Sequence, residues 1–283
     1  MPCLDDLMAN LFVESMLVAL SAALLVPQGA MAQAQDPTRP VEQRPQSLSQ
    51  KLEKTGSGGP APRRDLSGFW AGSLEPNLHQ VPAMTEVGQA RFKSNTPEPF
   101  NEHSNDPWRT CDPFGFPRVV TNQTRGLAFA QMPDHIVVMT QYEKIWRSVW
   151  MDGRTLPKNV GTKGGPDSRW YGYSVGHWDG DYTLVVETTG ADDRTWMDRR
   201  GYPHSVEMRA EERYKRVDHN TLELTLTIDD PMIYTKPFVL ATNRFRWIPN
   251  QEEEEQLCVP SEAIEYMKII AGPADQERAL GKK

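Results

Sequence analysis

From Thr221 to Ile228 every second residue is aliphatic: Leu222, Leu224, Leu226 and Ile228 alternate with Thr221, Glu223, Thr225 and Thr227. A period of two sends these sets to opposite faces of an extended chain, which predicts a strand with one packed side and one wet side. Residues 206–217 keep the same rhythm. Val206, Met208, Ala210, Glu212 and Tyr214 fall on one face, and Glu207, Arg209, Glu211, Arg213 and Lys215 on the other. The two runs flank Asp218-His219-Asn220 and read as a hairpin. Asp179-Gly180 joins β-rich runs at 170–178 and 182–188, a strong hairpin signal because both residues tolerate the positive φ of a tight turn. Residues 136–142 and 145–151 predict another hairpin, ending at the turn dipeptide Asp152-Gly153. A last strand covers 237–247, with Pro237 placed at its start, where no ladder donor is needed.

Helical segments are few. One is predicted over 84–93 and a short C-terminal one over 261–270, with Ser261 as N-cap. The turn-rich stretch 109–117 is expected to cross an end of the barrel. About eight to ten strands on short turns, with no βαβ alternation, no Gly-rich phosphate loop and no fixed repeat, predict a mainly β fold. The expected architecture is a single antiparallel β-barrel with short N- and C-terminal helices.

The N-terminus follows other rules. Residues 16–26 form an unbroken apolar and small-residue run, and Ala30-Met31-Ala32 has the small-x-small pattern of a signal-peptidase site. The run is too short to span a bilayer, which takes about 20 apolar residues. The preceding stretch carries Asp5, Asp6 and Glu14 and no base, which is unusual for a signal. Residues 33–64 are rich in Pro, Gln, Ser, Lys and Arg and lack the apolar residues needed to offset ordering entropy. The expected organisation is a signal peptide at 1–32, a disordered linker at 33–64, a β-barrel domain at 65–272 and a tail at 273–283. That predicts a periplasmic or secreted protein with no membrane span in the mature chain.

Losing residues 1–32 removes three acids and no base, so the net charge moves from −7 to −4. A mildly acidic chain without a basic patch is not expected to bind nucleic acid. Cys3 lies in the signal. Cys111 and Cys258 remain, and an even count in an exported protein favours a disulfide over two separate thiols. Closing so large a loop stabilises by about 4–5 kcal/mol in the chain-entropy model.

Candidate chemistry collects in two places. The loop 190–205 gathers Asp192, Asp193, Arg194, Trp196, Asp198, Arg199, Arg200, His204 and Ser205 between strands. Carboxylates beside an imidazole divide acid and base work when burial drives their pKa values apart; the same residues also build a structural ion-pair loop with Trp196 packed at the barrel mouth. Glu212 is the second place. Its strand sends it inward with the apolar set and Tyr214, so it must be paired or protonated, and Arg244 or Arg246 of the last strand are candidate partners. Tyr171, Tyr173, Val175 and His177 share a strand parity and either line a cavity or pack the barrel. No metal site is expected, since no His-Glu-x-x-His or Cys-x-x-Cys occurs, and no cofactor motif is present.

Several stretches carry a resemblance: Asp65-Leu66-Ser67-Gly68-Phe69-Trp70, Cys111-Asp112-Pro113-Phe114-Gly115-Phe116-Pro117-Arg118, Trp170-Tyr171-Gly172-Tyr173-Ser174-Val175-Gly176-His177-Trp178, Asp192-Asp193-Arg194-Thr195-Trp196, Gly201-Tyr202-Pro203-His204-Ser205, Thr227-Ile228-Asp229-Asp230-Pro231 and Tyr234-Thr235-Lys236-Pro237. Through these the chain resembles a large group of exported bacterial proteins of acidobacterial and sphingomonad type, a likeness that implies a location and no activity. Gly68-Phe69-Trp70 also looks like the Gly-x-Trp that opens the first strand of lipocalin and calycin barrels, which implies that Trp70 plugs one barrel end.

Three readings follow. The first is a barrel that binds a small apolar or aromatic molecule in its mouth or interior, with Tyr171, Tyr173, His177, Trp196 and Tyr214 as candidate contacts. The second is a cofactor-independent lyase, hydrolase or isomerase acting on a sugar-like or aromatic substrate through His204, Asp192, Asp193 and Glu212. The third is a protein-interaction module of the cell envelope. A cavity holding both His204 and Glu212 favours catalysis. A cavity of Trp and Tyr with salt-bridged carboxylates at its edge favours binding, and a filled barrel with an exposed apolar patch favours the module.

Overall fold

The computed structural model describes residues 59–72, 77–97, 104–121, 126–249 and 256–281, all within one compact unit. The signal peptide and most of the linker expected at the N-terminus lie outside the described residues. Ten strands run β1 (Gly68–Gly72), β2 (Asn77–Leu78), β3 (Leu127–Gln131), β4 (His135–Thr140), β5 (Trp146–Trp150), β6 (Tyr173–Asp179), β7 (Thr183–Thr189), β8 (Arg209–Asp218), β9 (Thr221–Asp229) and β10 (Phe238–Trp247). Nine of them close into a barrel: β3 to β10 pair in sequence order, and β1 joins β3 on one side and β10 on the other. Trp70 thus lies opposite both Leu127 and Trp247. The short β2 pairs with β10 outside this ring, at Ala241 and Thr242.

Alternation explains the wall. Along β8 and β9 the buried alternating residues are Ala210, Glu212, Tyr214 and Arg216, facing Leu222, Leu224, Leu226 and Ile228, with Thr221 buried at the start of β9. The interior is filled by side chains, with Trp70, Leu127, Tyr214, Leu222 and Phe245 all fully buried. A ligand in the barrel interior, one of the expected positions, therefore has no room among these residues. Barrels of this strand number are just wide enough for side chains to fill. Trp70 is fully buried, its indole N–H donating to the Leu66 carbonyl at 2.8 Å and the Arg216 guanidinium lying 4.9 Å from its ring centroid.

One pairing departs from the antiparallel expectation. β5 and β6 run parallel and meet only at Val149–Ser174 and Trp150–Val175, against seven residue pairs between β6 and β7. Parallel neighbours need a crossover, supplied here by 151–172. This is a stretch punctuated by Gly153, Pro157, Gly161, Gly164, Gly165 and Pro166 that leaves no regular strand of its own. Gly172 ends it at φ +65°, where a Cβ would stand 2.6 Å from the Thr189 carbonyl oxygen. Only glycine turns the chain into β6 at this distance.

Helix α1 (Glu86–Ser94) begins two residues later than predicted because Thr85 caps it, its hydroxyl accepting from Gly88 N. Helix α2 (Arg118–Thr121) is a single buried turn after the cis Phe116-Pro117 bond. Helix α3 (Pro260–Tyr266) starts with Pro260 at its first position, so Val259 is the N-cap and Ser261 lies inside the first turn. It continues through a π-helical segment, Met267–Ala271, into α4 (Gly272–Ala279), where a tail was expected. Cys111 and Cys258 form a disulfide with Cα atoms 5.4 Å apart. It fastens the start of α3 to the 3-10 turn Pro107–Thr110. The end of the expected linker contacts the barrel: Arg64 N donates to the Asp181 carbonyl at 2.6 Å, and Arg63 pairs with the Asp181 side chain. Among the described residues no helix is long and apolar enough to cross a membrane.

Candidate functional site

Each acid of the loop 190–205 that sequence singled out is occupied by a base. Asp192 takes the Arg194 guanidinium at 2.8 and 2.9 Å, and that hydrogen bond, against the cost of burial, holds its carboxyl below the usual range. Asp193 pairs with Arg91 at 2.9 Å, and the buried Asp198 pairs with Arg200. His204 is fully buried. Its Nε2 lies 3.0 Å from the Thr195 hydroxyl and its Nδ1 3.1 Å from the Ser205 carbonyl. Burial lowers its pKa despite the opposing Ser205 carbonyl and Asp230 charge. Both ring nitrogens are thereby engaged by protein atoms.

Trp196 is buried as well, and α2 explains why. Arg118 forms a two-point ion pair with Asp106 at 2.6 and 2.7 Å, both side chains buried, and its guanidinium sits between Phe114 and Trp196. This loop is a lattice of paired charges at one end of the barrel. A scaffold so connected positions its neighbours more than it reacts.

Inside the barrel Glu212 does meet an arginine, but not the one expected. Arg147 NH1 and NH2 donate to Glu212 Oε2 and Oε1, each at 2.7 Å. Arg244 and Arg246 alternate outward on β10 and are exposed, so neither reaches the interior. The Tyr214 hydroxyl donates to Glu212 Oε1 at 2.6 Å. Burial, then the adjacent carboxylate charge, pushes the Tyr214 phenol far up, so it stays a donor. For Arg147 burial opposes the charge, but Glu212 more than offsets this and holds its pKa above the ordinary value. The signal for this partner was in β5, where parity groups Arg147 with the buried Val149.

The splay between β5 and β6 opens a cleft of about 560 Å³ on the outside of the barrel. Trp146 and Trp150 of β5 form one wall, Tyr171 and Tyr173 the other, and Trp170 and Leu156 come from the ends of the crossover. The inward-facing Arg147 and Ser174 reach it from below, so the buried Glu212 ion pair lies under its floor. Trp146 is 76 % exposed. Three other aromatic faces carry guanidinium groups: Arg154 lies 3.7 Å from the Trp150 centroid, Arg169 4.0 Å from Tyr173 and Arg194 4.3 Å from Trp170. Burial pushes the Tyr171 hydroxyl well above its ordinary pKa.

Of the residues picked out by sequence as ligand contacts, Tyr171 and Tyr173 line this cleft. Tyr171 sits in the turn before β6 rather than on the strand. His177 lies farther along the outer face, and Trp196 and Tyr214 are buried elsewhere. Neither His204 nor Glu212 lines this cleft or three smaller ones on the molecule. Among the described residues no cluster of His, Cys, Asp and Glu is arranged to hold a metal ion.

Fold and geometry thus define a side-chain-filled β-barrel bearing an external cleft walled by aromatic and arginine side chains. No protein-family model matches the chain, and neither does any curated protein sequence.

Proposed function

We propose that the protein is an exported binding protein that takes a small aromatic molecule in the cleft between β5 and β6. The observation that carries this reading is the wall itself. Trp146, Trp150, Trp170, Tyr171 and Tyr173 converge on one concave surface of a size suited to a small ligand. A tryptophan left 76 % exposed beside stacked guanidinium groups offers a flat apolar face that a planar ligand would cover. Export is supported by the apolar leader, by the resemblance to exported bacterial proteins and by the Cys111–Cys258 bond, which suits an oxidising compartment.

The catalytic reading has less support, because His204 and Glu212 line none of these clefts and share none. A protein-interaction module keeps one observation in its favour. α3 and the turns after it leave Ile264, Ile269 and Ile270 exposed by 65 %, 59 % and 53 % on a barrel that is otherwise filled.

Native mass spectrometry of protein purified from its own cell envelope tests the binding reading. A co-purifying aromatic compound, lost in Trp146→Ala, is the expected result. A protein that carries no compound and shows no calorimetric response to a panel of small aromatics would overturn it.

A further inference from the structure

We infer that the ligand of this cleft is an aromatic carboxylate, held by Arg169 at its anionic end; the inference rests on the binding reading above. The residues lining the cleft include three arginines and no acid, in a chain whose net charge is −7. The three guanidinium groups are not equivalent. Arg147 spends NH1 and NH2 on Glu212, and Arg154 gives Nε and NH2 to Asp152. Arg169 has no such partner: among the described residues no carboxylate lies within ion-pair distance of it and no acceptor takes a hydrogen bond from its guanidinium. One uncompensated positive charge therefore remains in an aromatic-walled cleft.

Its position is also fixed. The Arg169 N–H donates to the Gly190 carbonyl at 3.0 Å, and its own carbonyl accepts from Asp192 N at 2.9 Å and Gly172 N at 3.0 Å. The guanidinium carbon sits 4.0 Å from the centre of the Tyr173 ring, whose hydroxyl is tied to the Asp167 carbonyl at 2.8 Å. A guanidinium stacked on one ring keeps its edge free, and that edge presents parallel N–H donors matched to a planar carboxylate. A single free guanidinium suits one planar monoanionic group better than a multiply charged phosphate.

Titration calorimetry with 2-naphthoate and its neutral counterpart 2-naphthalenemethanol tests this on the intact chain and on Arg169→Gln. Naphthoate should bind about tenfold or more tightly than the alcohol, and Arg169→Gln should bring the two to similar affinity. Arg169 is exposed and its side chain makes no protein hydrogen bond, so the variant keeps the fold. Equal affinities in the wild type, or a preference that survives in the variant, would overturn the carboxylate assignment while leaving aromatic binding intact. If neither compound binds, the binding reading falls and this inference falls with it. Naphthyl phosphate outcompeting naphthoate at matched salt would overturn the carboxylate in favour of a phosphate.

Discussion

Arg147 of β5 and Glu212 of β8 meet inside the barrel through two parallel hydrogen bonds of 2.7 Å, with their side chains 6 % and 0 % exposed. A charge pair so placed contributes little compared with apolar packing, yet removing one member strands the other. Glu212→Leu should therefore lower stability by about 3–5 kcal/mol, leaving the guanidinium uncompensated. Combining it with Arg147→Met and Tyr214→Phe removes every polar atom of the cluster that would otherwise lose its partner. The triple variant should be more stable than Glu212→Leu alone, as read by urea denaturation. A triple variant less stable than the single one would mean that the pair stabilises the barrel outright.

Acid should weaken the protein before its carboxylates titrate, and His204 is the reason. Burial lowers its folded pKa below the ordinary value of about 6.5, so the unfolded chain takes up the proton first. Above that value both states are neutral at this position and the contribution is flat. As pH falls below about 6.5 the unfolded state gains, and stability declines until the folded pKa is reached. Asp192 acts lower still: its carboxyl is depressed by Arg194, so its contribution is present above the usual carboxylate range and is lost as pH falls through the folded value. Melting curves between pH 7 and pH 5 should show a falling midpoint for the wild type and a flatter line for His204→Asn. Identical slopes would show that His204 titrates alike in both states.

The Cys111–Cys258 bond spans 147 residues and fixes α3 beside Trp108 and Tyr142, where Glu143 also accepts from Cys258 N at 3.2 Å. Its loss frees the denatured chain and should cost about 2–5 kcal/mol. None of the residues of α3 is buried, and Ile264 is 65 % exposed, so the bond is a main anchor of the helix. Limited proteolysis of the Cys258→Ser variant should cut first between Gln256 and Leu280. Protection of that segment equal to the wild type would show that packing alone retains it.

How far these features were legible in the chain depends on what each one needs. Strict alternation in β8 and β9 discloses their buried faces, and with them the inward Glu212, because period two is a local property. Arg147 escaped the same rule, since Trp146-Arg147-Ser148-Val149-Trp150 reads as an apolar strand with an incidental charge until its parity is followed. The parallel junction of β5 and β6 is not local. Asp179-Gly180 after β6 does make its hairpin with β7, but the turn dipeptide Asp152-Gly153 after β5 leads into the course of 151–172, and only that tertiary course makes the β5–β6 pairing parallel. The cleft follows from that junction, so Trp146, Arg154 and Arg169 carried no sign of a site, whereas the polar loop 190–205 was conspicuous because its charges pair with one another and with Arg91.

Two tryptophans make opposite demands on the fold, and the contrast separates a cleft residue from a core residue. Trp70 is fully buried, donates to Leu66 and lies under Arg216, so Trp70→Ala should cost about 3–5 kcal/mol in lost packing. Trp146 projects from β5 with 76 % of its surface exposed, and truncating an exposed side chain changes stability by about 0.5 kcal/mol or less. If the cleft is the binding site, Trp146→Ala should leave the melting midpoint within about 2 °C of wild type while weakening naphthoate and naphthalenemethanol alike, since it removes a flat face and no charge. Arg169→Gln should instead weaken the naphthoate alone. A Trp146→Ala variant that melts normally and binds both compounds as tightly as the wild type would place aromatic recognition somewhere other than between β5 and β6.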